Sequence, residues 1–446
     1  MRRLHLAAFF TMTALAGEVT LLYGAPTNSS GGITKPVLAA EAGLTTNIAA
    51  AVTNSVLALP EALSLALMNN PNLAVYSMEQ RAADARRIQA GLLPNPEFEV
   101  SMENLGGPSS QEGFEGPVAK FSIGQLIELG GKRSARRLVA QNEQTLTGWD
   151  YEGKRLDILS ETTILFVQTL AAQNKLALAQ SVFELAEDTL QTVSRRVAAG
   201  RDSPLEEKKA SVETVNARIA AERAQREWDK SRKNLAVMWG QFQPIFGRLE
   251  GNLNYVVTQL PEWKRLRSFL ANNPDIARWE DELALRRAAL QQAKAAVWPD
   301  VTIQAGIDHF RDTGTESYRA GAAVPLPLFN RNQGGIREAA ANLEKSNNNR
   351  AAAFLSVERE LFAAFQEINA LHKEITALKT EVLPVARDVF DSVRAGYQQG
   401  KFSYLEVLDA QRTLFEAENR NIETLVNYHF IRSQIERLIG KDLEKI

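Results

Sequence analysis

Two carboxylates that could do chemistry, Glu406 and Asp409, lie three residues apart near the start of a predicted helix. Residues three apart share one helix face, so the two groups lie side by side. Paired carboxylates attract cations and repel anions, which would suit an ion path. A structural interpretation competes with this one: Glu406 would complete an S-x-x-E capping box with Ser403, and Asp409 would be a solvated charge.

The side chains that other chemistries require are missing or badly spaced. The 446 residues include no Cys, which excludes disulfides, thiolate metal sites and a lipidated N-terminal Cys. Residues 130–132 (GGK) do not form a phosphate-binding loop, because the upstream Gly is misplaced and Arg133 replaces the required Ser or Thr. No nucleophile and base are arranged together, so we expect no catalytic site and no cofactor.

Metal ligands are equally sparse. The six Met form no cluster, and no two of the four His lie at ligand spacing. These histidines are His5, His309, His372 and His429. We therefore expect no tight metal site, which is compatible with a chain that only conducts ions.

The overall composition is that of an ordinary folded protein. Hydrophobic residues make up 45% of the chain, charged residues make up 23%, and the net charge is −2. Such a balance gives no excess of basic residues of the kind that nucleic-acid-binding proteins have. The mean hydropathy is −0.23, and the body of the chain has no uncharged apolar run of about eighteen residues, so a bundle of transmembrane helices is not expected.

The chain is internally duplicated, with one repeat at 59–258 and a second at 259–446. The first repeat opens with LPE at 59–61 and the second with LPE at 260–262. Further along, the offset is 200 residues, as in Gly200 and Gly400. A period this long indicates two similar halves in one molecule, and such pseudo-symmetry is common where a transport path is built.

The N-terminus is typical of an exported protein. Arg2 and Arg3 precede an apolar stretch at 4–16 that ends in an A-x-A pattern. We expect a signal peptide at 1–25, with cleavage between 16 and 40, and a flexible lead-in at 26–58. A disordered cytosolic tail is the alternative.

Four segments alternate between apolar and polar residues and predict β-strands, at about 96–104, 118–127, 300–310 and 317–325. Strands of about eight to ten residues can cross a bilayer when tilted. The same alternation would also fit a small soluble sheet with one buried face, and the pattern alone does not separate the two.

Long helices follow each strand pair, predicted at about 131–200 and 203–240, and at 332–400 and 403–439. Leu361, Ile368, Ile375, Val382 and Val389 recur every seven residues. Leu371, Leu378 and Val385 lie three positions further on, which completes a coiled-coil seam. A proline inside this helix, at 384, should produce a kink or a shift in packing.

Each pair of long helices reverses at a short tip. A glycine ends the first helix of each pair, at 200 and 400, and a serine caps the next, at 203 and 403. Each half therefore contains a long antiparallel hairpin whose tip lies far from the strands.

Four stretches carry a family likeness: 93–97 (LPNPE) with 103–104 (EN), 125–133 (QLIELGGKR), 324–333 (VPLPLFNRNQ) and 395–418. On these motifs the chain from residue 59 onward resembles the TolC-type outer-membrane efflux proteins, and is most similar to their CzcC/CusC-like heavy-metal branch. Some members of that branch carry a lipidated N-terminal Cys, which this chain lacks.

The resemblance implies a mainly α, mixed fold in which three chains each donate four strands to one twelve-stranded outer-membrane β-barrel. The helical hairpins would continue the barrel as a coiled-coil tunnel in the periplasm. The implied function is the passive exit duct of a tripartite efflux system for heavy-metal cations. Its partners would be two further copies of the chain, a periplasmic adaptor, an inner-membrane RND pump and outer-membrane lipid, with no nucleic acid.

The resemblance also assigns roles to residues at the tips. Glu406 and Asp409 match the carboxylate rings of a periplasmic gate, and Tyr397 and Glu206 match the positions whose hydrogen bond holds the tunnel closed. Ordinary coiled-coil packing is the alternative for Tyr397. Eight tip residues are candidates for docking the adaptor, although capping also explains the Gly and Ser among them: Gly200, Arg201, Ser203, Leu205, Gly400, Lys401, Ser403 and Leu405.

Two other functions stay open at this point. A duct of the same class could export drugs or other small organic molecules. A soluble periplasmic coiled-coil adaptor or scaffold is the alternative from another class, although it predicts one hairpin with separate β modules, whereas two equivalent hairpins are present.

Overall fold

The computed structural model describes residues 55–105, 117–257, 259–311 and 313–445. The predicted signal peptide, the lead-in up to residue 54 and part of the first strand-to-strand loop lie outside these ranges. Among the described helices, none is both long enough and apolar enough to cross a membrane.

The first repeat begins with a short strand and two helices, continues with two strands, and ends with a pair of long helices. Its elements are β1 (Val56–Ala58), α1 (Leu59–Asn69), α2 (Pro71–Ala90), β2 (Glu97–Glu103), β3 (Val118–Ile127), α3 (Lys132–Ala198), α4 (Pro204–Val237) and β4 (Arg248–Glu250). β1 and β4 pair in parallel and so join the start of this repeat to its end.

The second repeat follows the same plan, which shows the two structural repeats directly. Its elements are α5 (Trp263–Ser268), a 3₁₀ turn (Leu270–Asn272), α6 (Pro274–Ala295), β5 (Val301–Phe310), β6 (Thr315–Ala323), α7 (Gln333–Ala377), a π turn (Leu378–Val382), α8 (Leu383–Gln398), α9 (Tyr404–Ile439) and a 3₁₀ turn (Leu443–Lys445). The largest difference from the expected pattern is the π turn, which divides the predicted helix 332–400.

An Asn-Pro pair performs the same task in each repeat. The Asn70 side chain accepts a hydrogen bond from the backbone N–H of Asn72 and caps α2, and its amide donates to the carbonyl of Met238 at 2.8 Å. Asn273 caps α6 in the same way and donates to the carbonyl of Leu438 at 2.6 Å. Both asparagines are buried. Each one therefore anchors the second helix of its repeat to the end of the last.

The four longer strands form one antiparallel sheet in the order β2-β3-β5-β6. Within the described residues, the outer edges of β2 and β6 have no strand partner. Unpaired edges leave rows of backbone N–H and C=O groups that need partners elsewhere.

The register of the strands sorts their side chains into two faces. One face is apolar, because Val100 lies opposite Phe121 and Phe121 opposite Ile307, and all three side chains are exposed. The other face carries charges, with Lys120 paired to Glu103 at 2.5 Å. An apolar sheet face without a cover is unstable in water, so this face needs an apolar surrounding.

The main core lies between the sheet and the helical tips. It is built from the middle of α3, the end of α4, α7 and the end of α9, with fully buried Ile158, Leu235, Leu361 and Tyr428 at its centre. This core fixes the two long hairpins side by side at one end, while two smaller buried clusters lie nearer the tips.

The π turn changes which face of the α7–α8 helix is buried. Leu361, Ile368 and Ile375 are buried at seven-residue spacing as predicted, but Val382 and Val389 are 44% and 46% exposed. Beyond the turn, the buried positions move one residue along the chain, to Ala386 and Phe390.

The cause of this change is local. Pro384 has no N–H, so one backbone hydrogen bond of the i→i−4 pattern is missing. The π turn directly before it adds one extra residue to that turn of the helix. The expected shift in packing at Pro384 is therefore present, and Val382, Val385 and Val389, which the seven-residue period assigns to the seam, are not buried within the chain.

A close contact at the base of the sheet joins the two repeats and yields a stability prediction. Gly130 has φ +68°, and a Cβ built on it would lie 2.5 Å from the Trp298 side chain. Gly130→Ala should therefore cost about 1–2 kcal/mol from the left-handed backbone alone, with the Trp298 clash in addition. The control is Gly148→Ala in α3, where no atom lies within 4 Å and alanine should stabilise by about 0.5–1 kcal/mol. Thermal unfolding in detergent measures the stability of both variants. Equal melting temperatures for Gly130→Ala and Gly148→Ala would contradict the proposed contact.

Candidate functional site

The two helical tips are closed by the same backbone device. Gly200 and Gly400 adopt left-handed φ values of +71° and +76°. The N–H of Gly200 donates to the carbonyl of Val197, and that of Gly400 donates to Tyr397, both at 2.9 Å. Only glycine takes this conformation without a steric penalty, so these positions fix where each hairpin reverses.

The helices that leave the tips are capped by the predicted serines. The Ser203 hydroxyl accepts a hydrogen bond from the N–H of Leu205 at 3.2 Å. At the second tip the Glu406 carboxylate accepts from both the backbone N–H and the hydroxyl of Ser403, at 2.6 and 2.8 Å. These bonds, led by the backbone N–H, lower the pKa of Glu406. The capping role of Glu406 is thus present in the structure.

The two tips are joined by a small buried cluster. Val193 of α3 and Ala210 of α4 pack against Tyr397, Tyr404 and Val407. Tyr397 is only 4% exposed, and its ring centre lies 6.3 Å from that of Tyr404. Burial raises the pKa of Tyr404 to about 12, so both hydroxyls stay protonated at neutral pH.

An ionic contact lies beside this buried apolar cluster. It is formed by three residues that we call the tip cluster: Arg196, Asp202 and Tyr397. The Arg196 guanidinium holds the Asp202 carboxylate through two hydrogen bonds of 2.7 and 2.9 Å. The Tyr397 hydroxyl donates to the same carboxylate at 2.8 Å, and Arg196 also donates to the carbonyl of Tyr397 at 3.1 Å. The two bonds that involve Tyr397 tie the first hairpin tip to α8 of the second hairpin, and the two Arg196–Asp202 bonds hold their partners in place within the first tip.

The partner of Tyr397 differs from the one that the sequence suggested. Glu206 was expected to accept this hydrogen bond, but Asp202, four residues earlier, accepts it instead. The sequence did contain an indication of this pairing. Asp202 directly precedes the capping Ser203, and at that position its side chain faces back toward the end of α3. Arg196 was missed because one arginine among many in a helix carries no distinguishing pattern.

The tip cluster holds its charges at neutral pH. The hydrogen bonds from Arg196, then that from Tyr397, keep the pKa of Asp202 below its ordinary value. A carboxyl with a lowered pKa contributes stability above the unfolded-state pKa of about 3.9, and loses it only as pH falls through the lower folded value. The contact therefore persists through mildly acidic conditions.

The paired carboxylates Glu406 and Asp409 are both exposed on the surface of α9. They border a groove of about 550 Å³ between α8 and α9, whose floor includes Val385 and Val389. Glu406 is engaged by its capping bonds, whereas the Asp409 carboxylate has no hydrogen-bond or ion-pair partner in the described residues. Asp409 is the freer of the two charges to meet a passing ion.

The eight residues that we predicted for adaptor docking all lie on the exposed end of the hairpins. Leu205 and Leu405 are 59% and 56% exposed, which is high for leucine. Within the described part of the chain, no group of three or more His, Asp or Glu side chains could hold a metal ion.

Comparison with known proteins gives a family match over most of the chain. A family model described as "Outer membrane efflux protein" matches residues 62–241 and 266–441, one segment in each repeat. The cobalt-zinc-cadmium resistance protein CzcC of Cupriavidus metallidurans is 34% identical over 385 residues, covering 86% of this chain and 90% of the relative.

Two further comparisons span most of the chain at lower identity. The pyoverdine export outer membrane protein OpmQ of Pseudomonas aeruginosa is 26% identical over 392 residues, covering 82% of this chain and 81% of the relative. A crystal structure of CusC superposes with a TM-score of 0.72 at 19% identity, covering 86% of this chain and 92% of that one. The second likeness establishes a shared fold with that channel.

Proposed function

Because this chain belongs to the outer membrane efflux protein family, we propose that it is the exit duct of a tripartite RND-type system that conducts heavy-metal cations out of the cell. Membership makes the chain an outer membrane efflux channel with a periplasmic helical extension, and not an enzyme. The trimer, the system that it serves and the metal substrate are the proposed parts.

The four-stranded sheet is the observation that carries the proposal. Its apolar face is exposed, with Phe98 at 71% and Tyr318 at 82%, and its two edges have no strand partner in the described residues. A lipid-facing sheet must close, because bilayer hydrocarbon offers no partners to open edges. Three copies would supply twelve strands and close the sheet into a barrel with its charged face inside.

The long hairpins would continue this barrel through the periplasm. α3 alone has 67 residues, so at 1.5 Å per residue it is about 100 Å long. The exposed tips lie at the far end, where the eight candidate docking residues would contact the helical hairpin of a periplasmic adaptor. An inner-membrane RND pump would provide the energy, because a passive duct has none of its own.

The tips would form the gate of the duct. The tip cluster holds α8 to the first hairpin, and separating them would require breaking the hydrogen bonds that Tyr397 forms with Asp202 and Arg196. Three copies of Asp409 and Glu406 near the axis would set a negative potential that favours cations. A conduit should bind its ions only weakly, and the low number of metal ligands suits that requirement.

The proposal of a metal substrate is based on the similarity to CzcC, which is named a cobalt-zinc-cadmium resistance protein. Deleting the gene should lower the inhibitory concentrations of one or more of zinc, cobalt, cadmium, nickel, copper and silver salts severalfold. Plasmid-borne wild type should restore them, while a panel of dyes and antibiotics provides the control. Unchanged metal tolerance together with lost tolerance to organic compounds would reject the metal substrate.

The similarity to OpmQ favours the second candidate, export of a small organic molecule, because that relative is named for pyoverdine export. The soluble-scaffold alternative is decided by fractionation. A trimer in the outer-membrane fraction that survives mild detergent supports the duct, and a periplasmic monomer rejects it.

A further inference from the structure

One apolar stripe of α8 is buried within the chain. Ala386 and Phe390 pack in a cluster with Ala410 and Leu414 of α9. Further toward the tip, Tyr397 is buried in the cluster that joins the two hairpins. We call Ala386, Phe390 and Tyr397 the buried stripe. Its contacts hold α8 against α9 and against the first tip.

A second apolar stripe lies one residue before the first. Val385 and Val389 directly precede Ala386 and Phe390, and Val382 continues the stripe away from the tip. Val382, Val385 and Val389 are 44%, 62% and 46% exposed within the chain. We call these three residues the valine stripe. It continues the seven-residue period of the buried positions in α7, so it is the stripe that a regular helix would bury.

A change of register by one residue would exchange the two stripes. One residue corresponds to a rotation of about 100° around the helix axis and a shift of about 1.5 Å along it. With the extra residue in the π turn, the buried stripe faces α9. Without it, α8 would continue α7 as a regular helix, and the valine stripe would take the same place. The extra residue would then leave the helix at its far end, in the tip loop.

The same rotation would release the contact between the two tips. The Tyr397 hydroxyl donates to Asp202 at 2.8 Å. A rotation of about 100° would withdraw this hydroxyl and would put Gly396, which has no side chain, in the place of Tyr397. The ion pair of Arg196 with Asp202 would remain within the first tip. The register of α8 therefore decides whether the second hairpin is tied to the first.

Pro384 favours the register that the structure shows. In a regular α-helix its ring would collide with the carbonyl of Thr380, four residues earlier. In the π turn directly before it, the N–H of Leu383 donates to the carbonyl of Leu378, five residues back, so the helix is widened at this point. The larger side chains of the buried stripe add to this preference, because they remove more apolar surface from water.

A clamp on the π turn also favours this register. The Lys379 ammonium, within the π turn, donates to the carbonyl of Asn254 at 2.8 Å. Asn254 belongs to the linker between the two repeats, and this linker is itself held in place. His429 donates to the carbonyl of Leu253 at 2.9 Å, and His372 donates to a carbonyl of the same linker at 3.1 Å. The π turn is therefore fastened to a segment that the main core holds.

We propose that the π turn is a register switch, and that α8 opens the duct by rotating the valine stripe into the place of the buried stripe. This rests on the proposed function, because it takes the bond of Tyr397 to Asp202 as the closing contact of the gate. It adds the motion that breaks this bond, a rotation of α8 with α9 left in place. Each stripe offers α9 an apolar surface, so the helix has two discrete packings.

Cysteine reactivity distinguishes a rotation of α8 from a separation of α8 and α9. Ala386 and Ala410 belong to one buried cluster and are 7% and 6% exposed, and the native chain has no Cys. After a rotation, a cysteine at 386 would be exposed, while a cysteine at 410 would be covered by the valine stripe. After a separation, both would be exposed. Ala386→Cys and Ala410→Cys are therefore matched reporters.

Pro384→Ala should shift the chain toward the second register, because it removes the collision with the carbonyl of Thr380. In outer membranes, a maleimide should modify Ala386→Cys about tenfold faster or more in this background, since a proline in a helix interior strongly disfavours the regular register. The rate at Ala410→Cys should not change, and the conductance in planar bilayers should rise. Asp388→Ala is the control, because Asp388 is exposed on α8 and has no hydrogen-bond or ion-pair partner in the described residues.

Lys379→Met tests the clamp and leaves the proline in place. It removes the hydrogen bond from a charged group to the linker and keeps the length of the side chain, so the rate at Ala386→Cys should rise severalfold. Lys373→Met is the matched control, since Lys373 is exposed on α7 and forms no hydrogen bond or ion pair among the described residues.

Each outcome decides the proposal. Equal increases at 386 and 410 would indicate a separation and would overturn the register switch, and so would an unchanged rate at 386. If Pro384→Ala does not assemble, Lys379→Met decides by the same criteria. The gate would survive either negative result if Asp202→Ala still raised the conductance. A wild-type chain recovered as a soluble monomer would instead reject the proposed function.

Discussion

Asp202→Ala should open the duct, raising its conductance in planar bilayers about tenfold or more. Asp202 accepts two hydrogen bonds from Arg196 and one from Tyr397, and its side chain is only 7% exposed. Hydrogen bonds to a charged group contribute about 1.5–3 kcal/mol each. Losing even 2 kcal/mol per chain would shift the ratio of closed to open tips about thirtyfold.

Graded variants separate the contacts of the tip cluster. Tyr397→Phe removes one hydrogen bond and keeps the ring, so it should open the duct less than Asp202→Ala. Asp188→Ala is the matched control, because Asp188 also joins α3 to α8, through Arg394 at 3.2 Å, but at an exposed site. Exposed ion pairs contribute about 0–1 kcal/mol, so this variant should stay nearly closed.

Glu206→Ala tests the partner that the sequence suggested. It should leave the conductance close to wild type, because Tyr397 donates to Asp202. If Glu206→Ala opened the duct and Asp202→Ala did not, the tip cluster would not be the closing contact.

Asp409→Asn should weaken the cation preference of the duct, measured as the shift of reversal potential in a salt gradient. A unit charge at 4 Å contributes about 1 kcal/mol even in water, and three copies would act together. We therefore expect the ratio of cation to anion permeability to fall about fivefold or more. Asn preserves the size of the side chain, so the helix should be undisturbed.

Glu406→Gln should have a smaller effect on selectivity than Asp409→Asn. The Glu406 carboxylate is held by Ser403, and Gln at this position can still complete the capping box. Asp391→Asn is the control, since Asp391 is exposed on α8 away from the groove and the change in charge is the same. Equal losses at 391 and 409 would indicate a general surface potential and not a gate.

The resemblance of four motifs, on a duplicated plan, led to the efflux family and to the fold, and the family match and the superposed channel structure confirm both. The capping box at Ser403 and Glu406 was also correct, because capping chemistry is local in sequence. The gate and docking roles of the tip residues stay predictions until the variants above are measured.

The sequence by itself determined the elements and their order, because strand alternation, helix caps and tip glycines each act over a few neighbouring residues. Only the tertiary structure decided which distant groups meet. The Tyr397 hydroxyl donates to Asp202 and not to Glu206, because the packing of the two hairpins brings the Asp202 carboxylate within 2.8 Å of that hydroxyl. The π turn leaves exposed within the chain the valines that a seven-residue period assigns to the coiled-coil seam, because one inserted residue rotates every later side chain around the helix axis.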